Sequence, residues 1–357
     1  MTMKKPGKII RLCALALALM LLPLPGMAED ADGVDYSRWT TFLLLCNEGM
    51  TNDGGNVGNT IMVVSMHPGT GKIRQMMVTW DTFVQYEGFD FPQRLGSAYR
   101  NKGPEGTVDN FNKNFQMDIT HYMSLNFLNL ASLIDAYGGV TVDLTRQERN
   151  ALNGMVASKK ETIQAQADAG LLTQLAVELL AQQYQLDDFG PETKLNGLQA
   201  AGYGWLQYDS VYNCCERDNE VIGSLFNSVA ERIKETTAFY NSHTEYPADV
   251  RGRRVINLDA MTEEDVSYLR QQIDPIFQMS YNNLTEEEIR GISVTLAKSA
   301  FEAARQGVDI FTVVETAIFP LESRPDIVYD MIAGNTGILV DYEANSKAMK
   351  EYLFAEE

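Results

Sequence analysis

The stretch Thr60 to Val84, TIMVVSMHPGTGKIRQMMVTWDTFV, constrains the fold of this chain more than any other. Two runs rich in Val, Ile and Met flank a turn carrying Pro68, Gly69 and Gly71, a pattern that predicts a β-hairpin with its second strand from Lys72 to Val78. The second strand exits into Thr79-Trp80-Asp81-Thr82. Strand ends are where α/β folds place their chemistry, so this polar step is the first candidate site.

The surrounding segments supply an α/β body. Thr40 to Leu45 is fully apolar and suits a buried strand, whereas Cys46 to Asn59 turns to Asn, Gly, Asp and Glu and reads as loop. Pro104-Glu105 opens a helix with Val108, Phe111 and Phe115 on one face. A short strand near Tyr122 to Leu125 leads to a helix capped by Asn126, and Gly138-Gly139 stops that helix before a strand from Val140 to Leu144. Helix, glycine pair and strand in that order describe an α/β layer.

Gln147 to Gln185 reads as helices with a mobile loop, a candidate lid; Leu195 to Trp205 as a helix; Gln207 to Cys214 as a loop; and Arg217 to Lys234 as an amphipathic helix. Residues 236–259 are polar and expected to be a linker. Beyond them, Thr262-Glu263-Glu264 and Thr285-Glu286-Glu287 look like helix starts, followed by a strand from Thr336 to Val340 and a last helix from Glu343 to Phe354. The expected domain plan is an α/β domain over residues 38–235 and a mostly helical C-terminal part over 260–357, within the same body or as a subdomain.

Residues 1–28 carry Lys4, Lys5, Lys8 and Arg11, an apolar run and Gly26-Met27-Ala28, the three parts of a secretory signal. The run from Leu12 to Leu22 is short against the about 20 residues of a membrane span, so cleavage after Ala28 is expected, with an uncleaved anchor as the alternative. The product is then extracytoplasmic, secreted or held at the outer face of the cytoplasmic membrane. Loss of those four basic residues takes the formal charge from −19 to −23, which speaks against nucleic acid as a partner. Cys46, Cys214 and Cys215 remain; in an oxidising exterior Cys46 bonds one of the adjacent pair, or all three are buried thiols. His67, His121 and His243 are too scattered to complete a zinc site with them.

The order of these segments, with RLGSAY, GPEGTVDNF, LIDAYGGVTVDL, KLNGLQAAGY and the C-terminal TGILVDYEANSKAMKEYLF, resembles the LytR-CpsA-Psr family over Thr40 to Glu356. The resemblance implies a layered αβα body with a central mixed sheet. It also implies an extracytoplasmic transferase that moves a polyprenyl-pyrophosphate-linked glycopolymer from an apolar tunnel to peptidoglycan. Its site would use magnesium held by acidic residues and arginines around the pyrophosphate. These residue types suit that chemistry, because magnesium takes hard oxygen ligands and guanidinium forks match phosphate oxygens.

At the matching positions this chain departs from the family. Glu48 and Asn59 fall on the two metal-ligating aspartates, and Val57 replaces an arginine. Trp80 stands for the arginine before Asp81, Trp205 and Gln207 for two more, and Cys214 for another, while an Arg-Gln pair becomes Arg217-Asp218. Asp81, Arg94 and Arg217 are left as catalytic candidates. Trp80, Tyr99, Trp205, Gln207 and Cys214 are the expected pocket residues, Glu48 and Asn59 the metal candidates. The resemblance further implies that Cys46 and Cys214 border one cavity, so that a disulfide from Cys46 to Cys214 or Cys215 would close the former phosphate site. Each hydrogen bond to a charged group contributes about 1.5 to 3 kcal/mol, so losing the four phosphate-facing arginines, at Trp80, Trp205, Gln207 and Cys214, removes several orders of magnitude in rate.

The expected function is therefore cell-envelope assembly with impaired glycopolymer transfer. The alternative is a non-catalytic member that binds a polyprenyl-linked lipid or a cell-wall glycan, or an exported interaction module; no protein partner is named by the sequence.

Overall fold

The computed structural model describes residues 36–49, 58–171, 174–207, 209–242, 252–320, 328–332 and 334–355. The expected signal over 1–28, most of the polar lead-in and Val57 lie outside the described residues. Tyr36–Arg38 forms one 3-10 turn, and residues 39–357 form a separate compact unit.

The unit begins with β1 (Thr40–Asn47), β2 (Gly58–His67) and β3 (Lys72–Val78). β1 and β2 pair antiparallel with Cys46 opposite Thr60, and β2 and β3 pair antiparallel with His67 opposite Lys72. Every residue of β2 is buried, which is why it shows no polar alternation. β4 (Phe83–Val84) and β5 (Gln93–Arg94) form a small ladder after the exit of β3.

Helix α1 (Gly96–Phe115) starts earlier than Pro104. Gly103, at φ 69° and ψ −162°, breaks it in two, and Pro104 opens the second half, where its missing N–H costs nothing. β6 (His121–Asn126) leads into α2 (Phe127–Ala136), whose N-cap Asn126 accepts from Asn129 N. β7 (Val140–Leu144) pairs antiparallel with β8 (Gly190–Leu195), across an excursion containing α3 (Arg146–Asp168) and α4 (Gln174–Leu180).

Next come α5 (Gly197–Gly204) and α6 (Val211–Thr236). Helix α6 starts inside the stretch 207–214 expected as loop, because the Ser210 side chain caps it by accepting from Asn213 N at 3.1 Å. The expected linker 236–259 instead holds two paired strands, β9 (Thr237–Tyr240) and β10 (Arg254–Asn257), aligned in parallel with Ile256 beside Phe239. Burial of Ala238, Phe239 and Ile256 holds that pair on the body.

In the C-terminal part, α7 (Glu263–Met279) and α8 (Glu286–Gln306) start at the expected threonines. Thr262 with Asp265 and Thr285 with Glu288 form capping boxes. β11 (Tyr281–Asn282) lies between them; α9 (Ile310–Val313), β12 (Val314–Phe319), β13 (Val328–Ile332), β14 (Asn335–Leu339) and α10 (Tyr342–Phe354) follow. β12 pairs in parallel with β3, so the C-terminal part supplies an edge strand of the main sheet as well as helices.

The central sheet has the order β11-β6-β1-β2-β3-β12 and mixes parallel with antiparallel pairs. Phe42, Leu44 and Cys46 of β1 join a core with Leu128 of α2, Val221 of α6 and Ile292 of α8. Their neighbours Leu43 and Leu45 point to the other face by strand alternation and are equally buried; α1 contacts the sheet and α10 packs on α1. Helices thus cover both faces, an αβα arrangement. Among the described residues no helix is long and apolar enough to cross a membrane.

Candidate functional site

The β1–β2 junction, α3 and the segment after α5 converge on a cavity of about 380 Å³. Its lining is Glu48, Asn59, Ala151, Met155, Lys159, Trp205, Leu206 and Gln207. Glu48, Asn59, Trp205 and Gln207 were expected from the sequence, and the fold brings all four together. Trp205 ends α5 and is 2% exposed, with its ring 4.9 Å from that of Phe127.

The sequence did not single out Leu206, which follows Trp205, or Ala151, Met155 and Lys159. The last three belong to α3. They recur at four-residue spacing along α3 and so share one stripe of that helix, the signal by which they could have been found. Lys159 Nζ lies 5.2 Å from the Phe127 ring and 5.4 Å from the Trp205 ring, and donates to the Glu48 carbonyl at 3.4 Å. Burial pulls its pKa below the ordinary lysine value, opposed by the Glu48 charge.

The second expected cluster sits at the exit of β3. Asp81 is buried and its Oδ1 has no hydrogen-bond partner among the described residues. Burial raises its pKa to about 6 against the opposing charge of Arg94. Arg94 lies 5.5 Å from the Trp80 ring and donates from Nε to the Thr336 carbonyl at 2.6 Å, which ties it to β14.

Arg217 is turned inward. It is 4% exposed and grips Asp209 through two bonds, Nη1 to Oδ2 at 3.0 Å and Nη2 to Oδ1 at 2.8 Å. It also lies 3.4 Å from Glu148 Oε1 and donates to the Leu206 carbonyl. The bidentate contact holds the Asp209 carboxyl down at about 2.

Three expected pocket residues do not line the cavity: Trp80 stands at the exit of β3 beside Arg94, and Tyr99 and Cys214 are buried. Tyr99 is 1% exposed in the core, where its hydroxyl accepts from Asn47 Nδ2 at 3.0 Å and meets Ser124 Oγ at 2.8 Å. Cys214 is buried with Sγ 3.3 Å from the Gly204 carbonyl. The expected disulfide is corrected as well: Cys46, Cys214 and Cys215 are all free and buried. Residues that border one region in sequence alignment need not bring their sulfurs within bonding range, which demands Cβ atoms about 3.5 to 4.5 Å apart. Burial and the nearby Asp218 push all three thiols up.

A magnesium ion does not fit the residues around Glu48 and Asn59. Among the described residues that set offers one carboxylate and one amide, with a lysine ammonium in the same cavity, and a divalent ion would meet Lys159 as a like charge. Among the described residues no three His, Cys, Asp or Glu side chains are grouped to hold a metal.

Fold and site define a three-layered α/β protein with a half-apolar cavity at the end of its first two sheet strands. The chain belongs to the LytR_cpsA_psr family, whose model matches residues 32–250. Among curated relatives, a polyisoprenyl-teichoic acid–peptidoglycan teichoic acid transferase, TagU, from Halalkalibacterium halodurans is 28% identical over 85 residues, 24% of this chain and 28% of that protein. TagU of Bacillus mycoides is 23% identical over 120 residues, 32% of this chain and 39% of that protein. The chain therefore matches well under half the length of these relatives. Among solved structures, B. subtilis TagV aligns with a TM-score of 0.56 at 13% identity, covering 90% of this chain and 99% of that one. A structure of TagT bound to LIIa-WTA aligns at 0.52 and 11% identity, covering 89% and 92%. At these identities the likeness is one of fold.

Proposed function

We propose that this protein acts in cell-envelope assembly on the outer side of the cytoplasmic membrane, binding a polyprenyl-linked glycopolymer and transferring it to peptidoglycan poorly. Family membership, the teichoic acid transfer named for the TagU relatives and the ligand of TagT support the substrate class. The observation that carries the impairment is the inward grip of Arg217 on Asp209. Breaking a buried pair costs about 3 to 5 kcal/mol, more than one charge-assisted bond to phosphate returns. The guanidinium kept by this sequence is therefore already spent inside the protein, while Trp80, Trp205, Gln207 and Cys214 bring no positive charge.

The cavity suits binding. Met155, Leu206, Ala151 and Trp205 give apolar wall, and Gln207, Asn59, Lys159 and Glu48 give its polar and charged groups. The test incubates the mature protein with a polyprenyl-pyrophosphate-linked glycopolymer and peptidoglycan beside a TagU enzyme. Retention of the lipid with turnover at least about a hundredfold below the TagU enzyme is expected from the missing charge. Comparable turnover would overturn the impairment, and failure to retain the lipid would overturn the binding.

A further inference from the structure

The cavity contains its own cation. Lys159 reaches it from the same stripe of α3 as Ala151 and Met155, with the ammonium positioned by the Phe127 and Trp205 rings. An ammonium has three donors. Among the described residues this one makes a single long bond, 3.4 Å to the Glu48 carbonyl, and no ion pair. A second donor in the same wall also lacks an acceptor: Trp205 is 2% exposed and its indole N–H is buried without a partner among the described residues. A half-buried ammonium that lines a cavity with one long hydrogen bond calls for an anionic acceptor.

The acidic influence on Lys159 comes from the Glu48 carboxylate, with which it forms no ion pair; its hydrogen bond goes to the Glu48 backbone carbonyl. The rest of the lining is neutral, with apolar wall supplied by Ala151, Met155 and Leu206. An anion joined to a hydrocarbon chain matches both parts of the cavity at once. A lysine acts on phosphate as a compact point charge and needs no bidentate geometry.

We propose that Lys159 is the anion-binding residue of this cavity and holds a pyrophosphate group without a metal, its ammonium taking the neutralising role that a divalent cation would otherwise fill. This rests on the lipid-binding reading above and adds to it the residue and the independence from magnesium.

The test measures binding of farnesyl pyrophosphate, inorganic pyrophosphate and farnesol to the mature protein by calorimetry, with EDTA and with magnesium. Farnesyl pyrophosphate is expected to bind in EDTA, with magnesium changing its Kd by less than about twofold. Lys159→Met, which keeps the apolar stem, should weaken it by about ten- to a hundredfold, as for loss of one charged hydrogen bond, while Lys159→Arg keeps most of the affinity. Circular dichroism of both variants separates this from misfolding. A magnesium requirement, or unchanged binding by Lys159→Met, overturns the proposal. If farnesol binds as well as its pyrophosphate, the proposal fails while lipid binding stands. If no probe binds, both fail. Inorganic pyrophosphate binding as tightly as the lipid form supports the anion site and counts against a lipid occupant.

Discussion

The Thr60 hydroxyl donates a 2.9 Å hydrogen bond to Asp218 Oδ2 where the start of β2 meets α6, and both residues are shielded from solvent. Asp218 follows Arg217 in sequence, yet the two side chains, about 100° apart around the helix, have different partners. Arg217 grips Asp209, and Asp218 faces the sheet beside Cys46 and Cys214, whose thiols its charge would raise further. Burial lifts the Asp218 carboxyl to about 8, so it is largely protonated at neutral pH. The residues around Thr60 and Asp218 thereby form a neutral, filled interior.

This sets a pH dependence of stability. The folded pKa of Asp218 is raised, from the usual 3.8 to about 8, so its stabilising contribution is complete below about pH 4 and is lost as pH rises toward 8. Asp81, raised to about 6, acts in the same direction over a narrower window. The melting temperature is expected to fall as the pH rises from about 4 to about 8 and to level off above that. Asp218→Asn keeps an acceptor for Thr60 and removes the titration. It should stabilise the protein at pH 8, by about 5 kcal/mol at most, and flatten the curve, measured by urea unfolding across pH.

The Arg217 pair gives a second expectation. Arg217→Met leaves Asp209 and Glu148 without their shared cation and should cost about 3 kcal/mol in urea unfolding, at the low end for a buried pair because Asp209 keeps some solvent. Binding of a lipid donor per folded molecule should change less than about twofold, since the guanidinium is engaged within the protein. A large loss of binding with unchanged stability would place Arg217 on the ligand instead.

The thiols are directly countable. Cys46, Cys214 and Cys215 are buried and their pKa values are raised, so the native protein should react with a thiol reagent at least about a hundredfold more slowly than the same protein in denaturant. Non-reducing mass spectrometry should find the three in the reduced state. A bridge from Cys46 to either neighbour would refute this.

Local signals carried much of the architecture. Asn126, Thr262 and Thr285 state their helix starts because a capping side chain lies within three residues of the amide it serves. The hairpin from Thr60 to Val78 is equally local. Partners of Arg217 and Cys46 were not legible, since the Arg217 grip on Asp209 depends on where Ser210 starts α6, and sulfur separation depends on tertiary packing. Polar composition concealed β9 and β10, of which Thr237, Ala238, Phe239 and Ile256 are buried. Of the site, Glu48, Asn59, Trp205 and Gln207 were visible through family resemblance, whereas Lys159 belongs to no motif and is placed by helix periodicity alone.

The hairpin turn offers a test of how the C-terminal part is held to the sheet. Lys298 of α8 donates from Nζ to the carbonyls of Pro68 at 2.7 Å and Gly69 at 2.9 Å, and Ser299 donates to the Gly71 carbonyl. Gly71 has φ +78°, and a Cβ placed there would stand 2.6 Å from Lys298 Cβ. Gly71→Ala therefore meets both left-handed strain, about 1 to 2 kcal/mol, and a clash of about 1 to 3 kcal/mol that moves α8 off the turn. Gly88 is the internal control, because its φ is +88° and a Cβ there meets nothing within 4 Å. Gly88→Ala should cost only the strain, about 1 kcal/mol. The difference between the two variants in urea unfolding reads the contact of α8 with the hairpin, and equal losses would show that the helix yields without cost.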